Sequence, residues 1–317
     1  MRIHLAGLPS SNHHIQSEVL PEVENHLTTY ADLQEVEAKE KAFDMRIHLV
    51  SKPSANPGIQ DKALIESDVK NHLLSLTYRE QEKAYSPIWS NSGSKPQQDL
   101  RPRLIVDSGA FTAWSTGKVI KPQDYAEWAL GFEARWRPKM ASLEFMNLDV
   151  IGDQDATWRN LAILQGLGMS PMPVVTFGVD LAHLDRALEY PYISLGGLVP
   201  YTRNKPKLRA WLDACFSRVM AHRKRTGTLC KVHLLGVTTD WVLKRYPCYS
   251  SDSSSWVACL RYGEGGASGL KKLPRYKTSD GAMAATLHTL RSEIKKFQAM
   301  QDTATKLWQS RGITFDD

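Results

Sequence analysis

Short apolar runs that end at a glycine or an aspartate alternate along this chain with longer amphipathic segments. Bounded apolar runs of about four to eight residues are typical of buried strands, and longer periodic segments are typical of helices. The pattern predicts eight strands, at residues 2–6, 46–50, 103–107, 143–149, 172–176, 192–196, 231–236 and 248–252. It predicts helices at residues 122–136, 157–167, 181–189, 208–222, 241–244 and 279–309.

The order of these elements indicates the fold class. Apolar strands that alternate with helices indicate parallel βαβ units, and eight such units predict an α/β protein with a (β/α)8 TIM barrel. We expect the barrel to occupy residues 1–278 and a C-terminal helical extension to occupy residues 279–317. A doubly wound open sheet is the alternative.

An internal repeat bears on the strand count. The string M-R-I-H-L begins at Met1 and again at Met45, and fragments of the sequence after it recur as well. We interpret the repeated unit as a strand, a loop and an amphipathic helix whose apolar face carries Ile65, Val69, Leu73 and Leu76. The count of eight strands then requires both copies to form strands. The alternative is a duplication in which one copy adds little to the fold.

The chain is basic, which favours a polyanionic partner. Its net charge is +6 and its isoelectric point is near 9.0. Basic residues cluster near aromatic ones in the last third of the chain, a pattern typical of nucleic-acid binding, although each cluster alone is also typical of a solvated face. The predicted nucleic-acid contacts are Arg203, Lys205, Lys207, Lys271, Lys272 and Arg275.

Several classes of protein do not fit the sequence. The chain has no apolar run of about 18 or more residues and no apolar segment near its start, so we expect no membrane span and no signal peptide. Its four cysteines show no C-x-x-C spacing, which argues against a disulfide scaffold and a four-thiolate zinc site. We therefore expect a cytoplasmic protein without a metal or another cofactor.

Candidate chemistry lies where predicted strands end. In a TIM barrel the functional residues stand at the C-terminal ends of the strands, and here those ends carry Asp107, Asp149, Gly196-Gly197 and Asp252. Paired carboxylates at a barrel mouth suit attack on an anomeric carbon, one acting as nucleophile and the other handling protons. The alternative for each aspartate is a helix cap or turn residue. No His or Cys stands at these ends, so neither a Ser-His-Asp triad nor a zinc site is expected.

Asp252 lies in an unusual serine-rich string, Y-P-C-Y-S-S-D-S-S-S-W at residues 246–256. Serine hydroxyls can donate hydrogen bonds that keep a carboxylate ionised and oriented. Two interpretations remain at this point: a surface loop whose acid caps a helix, and a carboxylate nucleophile at the mouth of a site.

Three strings in these positions resemble tRNA-guanine transglycosylases. D-S-G-A-F at residues 107–111 is similar to the D-S-G-G-F signature of that family, and G-G-L at 196–198 is similar to its base-contacting turn. V-H-L-L-G-V at 232–237 resembles the strand before its nucleophilic aspartate. The longer strings D-S-G-A-F-T-A-W, L-D-V-I-G-D and Y-P-C-Y-S-S-D-S-S-S-W are closer to the DpdA-type DNA transglycosylases of phages and bacteria. The resemblance covers about residues 104–256.

The resemblance implies a (β/α)8 barrel that exchanges guanine for a 7-deazaguanine by double displacement. It implies that Asp252 attacks C1′ and that Asp107 is the general acid and base. It also implies that Asp149 reads the N1 and 2-amino edge of the purine. The implied substrate-binding residues are Ser108, Gly109, Phe111, Asp149, Thr176, Gly196, Gly197 and Gly236.

The sequence departs from the tRNA enzymes in two places. Their zinc ligands, C-x-C-x-x-C…H, are not matched, because only Cys259 and His288 follow the predicted nucleophile. Thr176 and Phe177 stand where those enzymes carry a glutamine, which leaves the incoming base undefined. The implied partners are DNA, duplex or locally opened, and a free 7-deazaguanine base such as preQ0. A partner protein or a homodimer is also compatible, as is the host cytoplasm if the protein is phage-encoded.

Three alternative functions stay open at the level of sequence. The same exchange on tRNA is the nearest. A non-catalytic, nucleic-acid-binding barrel that partners an active subunit is the second. A glycosidase or nucleosidase that releases the base without replacing it is the third.

Overall fold

A computed structural model describes residues 44–50, 57–76, 101–257 and 279–315. The strands of this part of the chain, numbered β1 to β8, are Arg46–Val50, Asn71–Ser75, Arg103–Asp107, Ser142–Phe145, Val174–Thr176, Tyr192–Gly196, Lys231–Leu234 and Ser250–Ser253. Its α-helices, numbered α1 to α8, are Pro57–Glu66, Ala110–Ser115, Pro122–Trp136, Gln154–Gly166, Ala182–Ala187, Lys205–Thr226, Asp240–Arg245 and Ser279–Gln309. Short 3₁₀ turns at Arg137–Lys139, Val199–Tyr201 and Ser255–Val257 complete the described elements.

All paired strands are parallel and they close on themselves. Their order is β4-β3-β2-β1-β8-β7-β6-β5, and a parallel bridge between Met146 and Met172 joins the two ends of that series. Two backbone hydrogen bonds make the bridge, from Met172 N–H to the Phe145 carbonyl at 2.7 Å and from Asn147 N–H to the Met172 carbonyl at 2.9 Å. The predicted (β/α)8 barrel is confirmed, and the alternative of an open doubly wound sheet is wrong.

The inside of the barrel is divided between an apolar and a polar half. Six apolar side chains pack together there, on strands β1, β2, β3 and β5 and at the bridge: Val50, Leu73, Ile105, Met146, Met172 and Val174. The other half carries buried polar side chains, among them His48, Ser194, His233 and Ser250. Strand register aligns them, because His48 pairs with Asp252 and Ser194 pairs with His233.

The main core lies between the strands and the surrounding helices. Tyr125 and Phe132 of α3 are fully buried in it, and burying a side chain such as Phe132 stabilises the fold by about 1.5–3 kcal/mol. α8 completes the ring of helices. Its Thr305 and Gln301 accept hydrogen bonds from the backbone N–H groups of Met45 and Ile47 in and beside β1. The C-terminal helix is thus packed against the first strand of the barrel.

β2 is a strand that the sequence pattern did not predict. The expected helical face through Leu73 and Leu76 is wrong, because α1 ends at Glu66 and the chain turns at Asp68, which has a φ of 51°. In β2, Leu73 then faces the barrel interior and Leu74 faces the helices. Eight strands are therefore present without residues 1–43, so the requirement that both M-R-I-H-L copies form strands is wrong.

The predicted strand at residues 2–6 lies outside the described residues. The strands predicted at 46–50, 103–107 and 192–196 match their observed bounds. The remaining four predicted strands are present with shorter or shifted ends, such as β4 at Ser142–Phe145 where 143–149 was expected. The helices predicted at 122–136 and 279–309 match their observed bounds. Asp149 consequently stands in the loop after β4.

Candidate active site

Three aspartates lie at the end of the barrel where the strands finish. Asp107 is the last residue of β3, Asp252 is in β8, and Asp149 lies in the loop after β4. The charge of Asp252 raises the pKa of Asp107, and the charge of Asp107 raises the pKa of Asp149. The structure therefore brings the three predicted carboxylates together at one mouth.

Asp252 is held by one of its two carboxylate oxygens. Gly236 N–H donates to Oδ1 over 2.7 Å, and His233 Nε2 lies 3.2 Å from the same atom. Oδ2 makes no hydrogen bond to any other described residue. Asp252 is only 8% exposed, so its anchored oxygen faces the protein while the second oxygen is left for a ligand.

Gly236 has to be a glycine for this contact to form. Its φ is 70°, in the left-handed region that favours glycine, and a Cβ there would lie 2.5 Å from Val199 Cγ2. The resemblance assigned Gly236 to substrate binding. In the structure its N–H is used by the predicted nucleophile.

A chain of hydrogen bonds continues from Asp252 into the barrel. His233 Nδ1 lies 2.5 Å from Ser250 Oγ, which in turn lies 2.5 Å from the Tyr192 hydroxyl. One set of protons satisfies every contact: Tyr192 donates to Ser250, Ser250 donates to Nδ1, and Nε2–H donates to Asp252. The chain fixes the tautomer of His233 and orients the carboxylate. No His or Cys stands at the predicted strand ends themselves, and the structure brings His233 to Asp252 from within the neighbouring strand β7.

Asp107 sits in surroundings that favour its neutral form. Burial raises the pKa of its carboxyl, and the nearby charge of Asp252 raises that pKa further. Hydrogen bonds from the Ser75 hydroxyl and from Gly109 N–H act in the opposite direction. Gly109 reaches a φ of 76°, which turns the chain from β3 into α2. A raised pKa favours the protonated form of the carboxyl group, which can deliver a proton.

Asp149 is the second carboxyl with a perturbed pKa. Burial and the charge of Asp107 raise its pKa to about 7, against the lowering effect of a hydrogen bond from Ser108. Ser108 is fully buried, so its hydroxyl binds Asp149 from the protein interior. Asp149 therefore changes its charge near physiological pH, whereas a solvated aspartate does so near 3.8.

The two glycines after β6 are required by packing. A Cβ on Gly196 would lie 3.1 Å from Val174 Cγ1, and one on Gly197, whose φ is 69°, would lie 3.0 Å from Thr176 Cγ2. Gly197 is exposed. Thr176 N–H is bound by the Gln154 side chain, which ties the end of β5 to α4. Gly197 and Thr176 thus lie side by side at the rim of the mouth.

Aromatic side chains surround the mouth in two places. Phe111 and Trp114 of α2 are 62% and 55% exposed, with ring centroids 5.9 Å apart. After β5, Phe177 stacks on Tyr201 with centroids 3.9 Å apart, and Lys207 Nζ lies 5.0 Å from the centre of the Tyr201 ring.

The predicted nucleic-acid contacts are described only in part. Arg203, Lys205 and Lys207 are exposed beside Tyr201. Lys271, Lys272 and Arg275 lie outside the described residues, as does Cys259. The basic group that can be placed therefore adjoins an aromatic surface at the barrel mouth.

The serines around Asp252 were expected to donate to its carboxylate, whereas Ser250 contacts His233. Sequence reasoning missed His233 and Ser75 as parts of the site. Each lies on the inward face of a strand, and the signal was the alternation of polar with apolar residues in K-V-H-L and N-H-L-L-S. Alternation shows which residues share a face, but only the register between strands shows which faces meet.

No group of three or more His, Cys, Asp and Glu side chains in residues 44–50, 57–76, 101–257 and 279–315 is arranged to bind a metal ion. Over the same ranges, every helix is too short or too polar to cross a bilayer.

Comparison with known proteins identifies no family for this chain. No protein-family model and no curated protein matches it. Similar solved structures include one assigned as a fructose-1,6-biphosphate aldolase from Coccidioides immitis, with 10% identity, a TM-score of 0.48, and coverage of 91% of this chain and 96% of that one.

Two further solved structures are similar at the same level. A native KDPGal structure has 12% identity and a TM-score of 0.39, covering 84% of this chain and 97% of that one. A designed cube-shaped, highly porous protein cage has 11% identity and a TM-score of 0.41, covering 86% and 78%. Likenesses of this size say nothing of the reaction, so the assignment of the barrel rests on its own sheet topology.

Proposed function

We propose that this protein is a DNA guanine transglycosylase that exchanges guanine in DNA for a free 7-deazaguanine base. The observation that carries the proposal is the geometry of Asp252, with Oδ1 anchored by Gly236 and His233 and Oδ2 left without a described partner. A carboxylate of this kind, facing a second carboxyl with a raised pKa, suits double displacement at an anomeric carbon.

In the first half of the reaction, Asp252 Oδ2 attacks C1′ of the target deoxyguanosine. The bond from C1′ to N9 breaks, and the electron pair of that bond leaves with guanine. Asp107 in its protonated form supplies the proton that neutralises the departing base, which its raised pKa favours. The product of this step is a sugar–Asp252 ester.

In the second half, the incoming 7-deazaguanine attacks C1′ through the corresponding ring nitrogen and displaces Asp252. Asp107, now ionised, accepts the proton that the ring nitrogen loses. Atoms balance without a cofactor, since one base leaves and one base enters. Asp149 in its ionised form can accept hydrogen bonds from N1–H and the 2-amino group of either base.

The rim of the mouth suits a nucleotide that has left its helix. An enzyme that acts on C1′ inside a duplex must flip the target nucleotide or use single-stranded substrate. Phe111 and the stacked pair Phe177 and Tyr201 offer aromatic faces for bases, and Lys207 beside Tyr201 offers a charge for a phosphate. DNA is preferred to tRNA because the cysteines of the tRNA enzymes' zinc site have no counterpart in the sequence.

The test is base exchange with purified protein. Duplex DNA carrying labelled guanine is incubated with preQ0, with tRNA as a second substrate and with Asp252→Ala as the matched variant. We expect label release from DNA by the wild-type protein and no release by the variant, together with incorporation of preQ0. Release from tRNA alone would move the assignment to RNA, and release without incorporation would indicate a hydrolase. No release from either substrate would contradict the proposal.

A further inference from the structure

Helix α2, which follows Asp107 at the barrel mouth, turns its two largest side chains to solvent. Phe111 and Trp114 are each more than half exposed, whereas the small side chains of Ala110 and Ala113 are buried. An amphipathic helix ordinarily buries its large apolar residues and exposes polar ones. In α2 the alanines attach the helix to the barrel, and both aromatic rings are left accessible.

These two rings differ from the other exposed apolar residues. Among the residues that the structure describes, they are the only aromatic side chains exposed by more than about a third. Their centroids lie 5.9 Å apart and their planes are inclined at 40°. Single exposed apolar residues are ordinary, but contiguous apolar surface marks an interaction site. Phe111 and Trp114 together therefore form a candidate docking surface.

The chain around these rings is positively charged. Residues 108–123 contain Lys118 and Lys121 and no Asp or Glu. The chain folds back after α2, because Gly117 has a φ of 68° and Lys118 N–H donates to the Ala113 carbonyl over 2.8 Å. Lys118 is exposed there and forms no ion pair within the described part of the chain. The surface thus combines aromatic faces with an uncompensated charge.

We propose that Phe111, Trp114 and Lys118, named here the α2 platform, bind an unpaired segment of DNA that flanks the target nucleotide. The inference rests on the proposed function, which makes DNA the substrate. Bases of any sequence stack on aromatic rings, and a nearby lysine neutralises a phosphate. Because α2 begins three residues after Asp107, a strand on the platform can continue into the mouth.

A second copy of this chain is a poorer occupant of the α2 platform. A twofold interface places the same patch of both subunits against each other. Such an interface would bring the two copies of Lys118 together, and residues 108–123 offer no carboxylate to offset their repulsion. A fully paired duplex is also poorer, because its bases are already stacked on one another.

Fluorescence anisotropy on the full chain tests the proposal with three labelled ligands: a single strand, an abasic strand of equal length and a fully paired duplex. We expect the single strand to bind about tenfold more tightly than the abasic strand, which keeps the phosphates but lacks the bases. Equal affinities for these two strands would overturn the proposal.

Two substitutions of Trp114 separate stacking from general apolar contact. Trp114→Leu keeps an apolar side chain but removes the ring, so binding of the single strand should weaken about tenfold while binding of the abasic strand stays unchanged. Trp114→Phe keeps a ring and should restore most of the affinity, which a misfolded protein would not do. A Leu variant that binds like wild type, or that only dissolves a dimer seen by light scattering, would overturn the proposal.

Lys118 is tested by the salt dependence of binding. Lys118→Gln should lower the slope of log affinity against log salt concentration by about 0.7, the contribution of one phosphate contact on a single strand. The matched control is Lys224→Gln, which removes an exposed lysine near the far end of α6 and should leave the slope unchanged. Equal slopes in the two variants would remove Lys118 from the platform. All these readouts are of binding, so loss of base exchange with the platform intact would contradict the proposed function alone.

Discussion

The two ends of this barrel carry opposite charge on the same strands. β3 begins with Arg103 and ends with Asp107, and β7 begins with Lys231 and ends below the Gly236 turn that holds Asp252. At the C-terminal end the charge of Asp252 raises the pKa of Asp107, and the charge of Asp107 raises the pKa of Asp149. At the N-terminal end Arg46, Arg103 and Lys231 line a cavity together with Glu144. Close like charges at the C-terminal end cost stability, which is typical of functional sites.

The two ends are connected through the polar half of the interior. Tyr192 lines the N-terminal cavity and begins the hydrogen-bonded series that runs through Ser250 and His233 to Asp252. Such a buried series fixes one arrangement of protons and side chains. The apolar half therefore closes the barrel, and the polar half orients Asp252.

The largest effect on base exchange is expected from replacing Asp107, the proposed general acid. Asp107→Asn should lower the rate of base exchange by about 10²–10⁴-fold, because an amide cannot deliver or accept the proton. DNA binding should persist, since Asp107 faces the inside of the mouth. Single-turnover release of labelled guanine measures the rate, and fluorescence anisotropy with labelled DNA measures the binding. Full activity in this variant would remove Asp107 from the reaction.

The next largest effect on base exchange is expected from replacing Gly236, whose N–H binds Asp252. Gly236→Ala should lower exchange by about 10²-fold, because its Cβ would collide with Val199 and displace the N–H from Asp252 Oδ1. The matched control is Gly227→Ala, which has a φ of 83° but nothing within 4 Å of its added Cβ. Both variants carry the same backbone strain, so thermal melting should show similar losses of stability. Equal losses of activity would contradict a special role for Gly236.

The barrel and its acidic end were predictable from sequence for a definite reason. Strands that end in Asp107 or precede Asp252 are bounded by turns and apolar runs, and parallel strands bring their C-terminal ends to one edge. N-H-L-L-S was less informative, since its spacing fits a helical face through Val69 and Leu73 as well as a strand. The turn at Asp68 decides between them, and it depends on a left-handed backbone at a residue other than glycine.

The supporting side chains were not predictable because they depend on register. His233 adjoins Asp252 only because β7 and β8 pair with His233 opposite Ser250. The raised pKa of Asp149 depends likewise on how deeply the loop after β4 is buried beside Asp107. The N-terminal cavity was not predictable either, because Arg46, Arg103 and Lys231, which line it, are far apart in sequence.

Replacing His233 should have a smaller effect on base exchange. It distinguishes a role of His233 in orienting Asp252 from a role in packing. His233→Gln can still donate to Asp252 from a position close to Nε2, whereas His233→Asn is too short to reach it. We expect exchange to fall by about tenfold in the Gln variant and by about 10²-fold in the Asn variant, with Km little changed. Steady-state kinetics measure both quantities. Equal losses in the two variants would reduce His233 to a packing role.

The smallest effect is a pH dependence of Km that arises from Asp149 at the C-terminal end of the barrel. Asp149 must be ionised to accept the N1–H and 2-amino hydrogens of the base, and its pKa lies near 7. Below that value the carboxyl is protonated, so Km for the free base should rise about tenfold for each pH unit from pH 7 down. In Asp149→Asn the Km for the free base should be high and should no longer change with pH.

The same raised pKa has a consequence for stability with a definite sign. A carboxyl whose folded-state pKa exceeds its unfolded value of 3.8 favours folding at low pH, and that contribution is lost as pH rises through about 7. Asp149→Asn should therefore raise the melting temperature at pH 8 and leave it nearly unchanged at pH 4. Calorimetric melting at the two pH values measures the difference. A variant less stable than wild type at pH 8 would show that the ionised carboxylate stabilises the mouth, and Asp149 would then belong to the scaffold of this end.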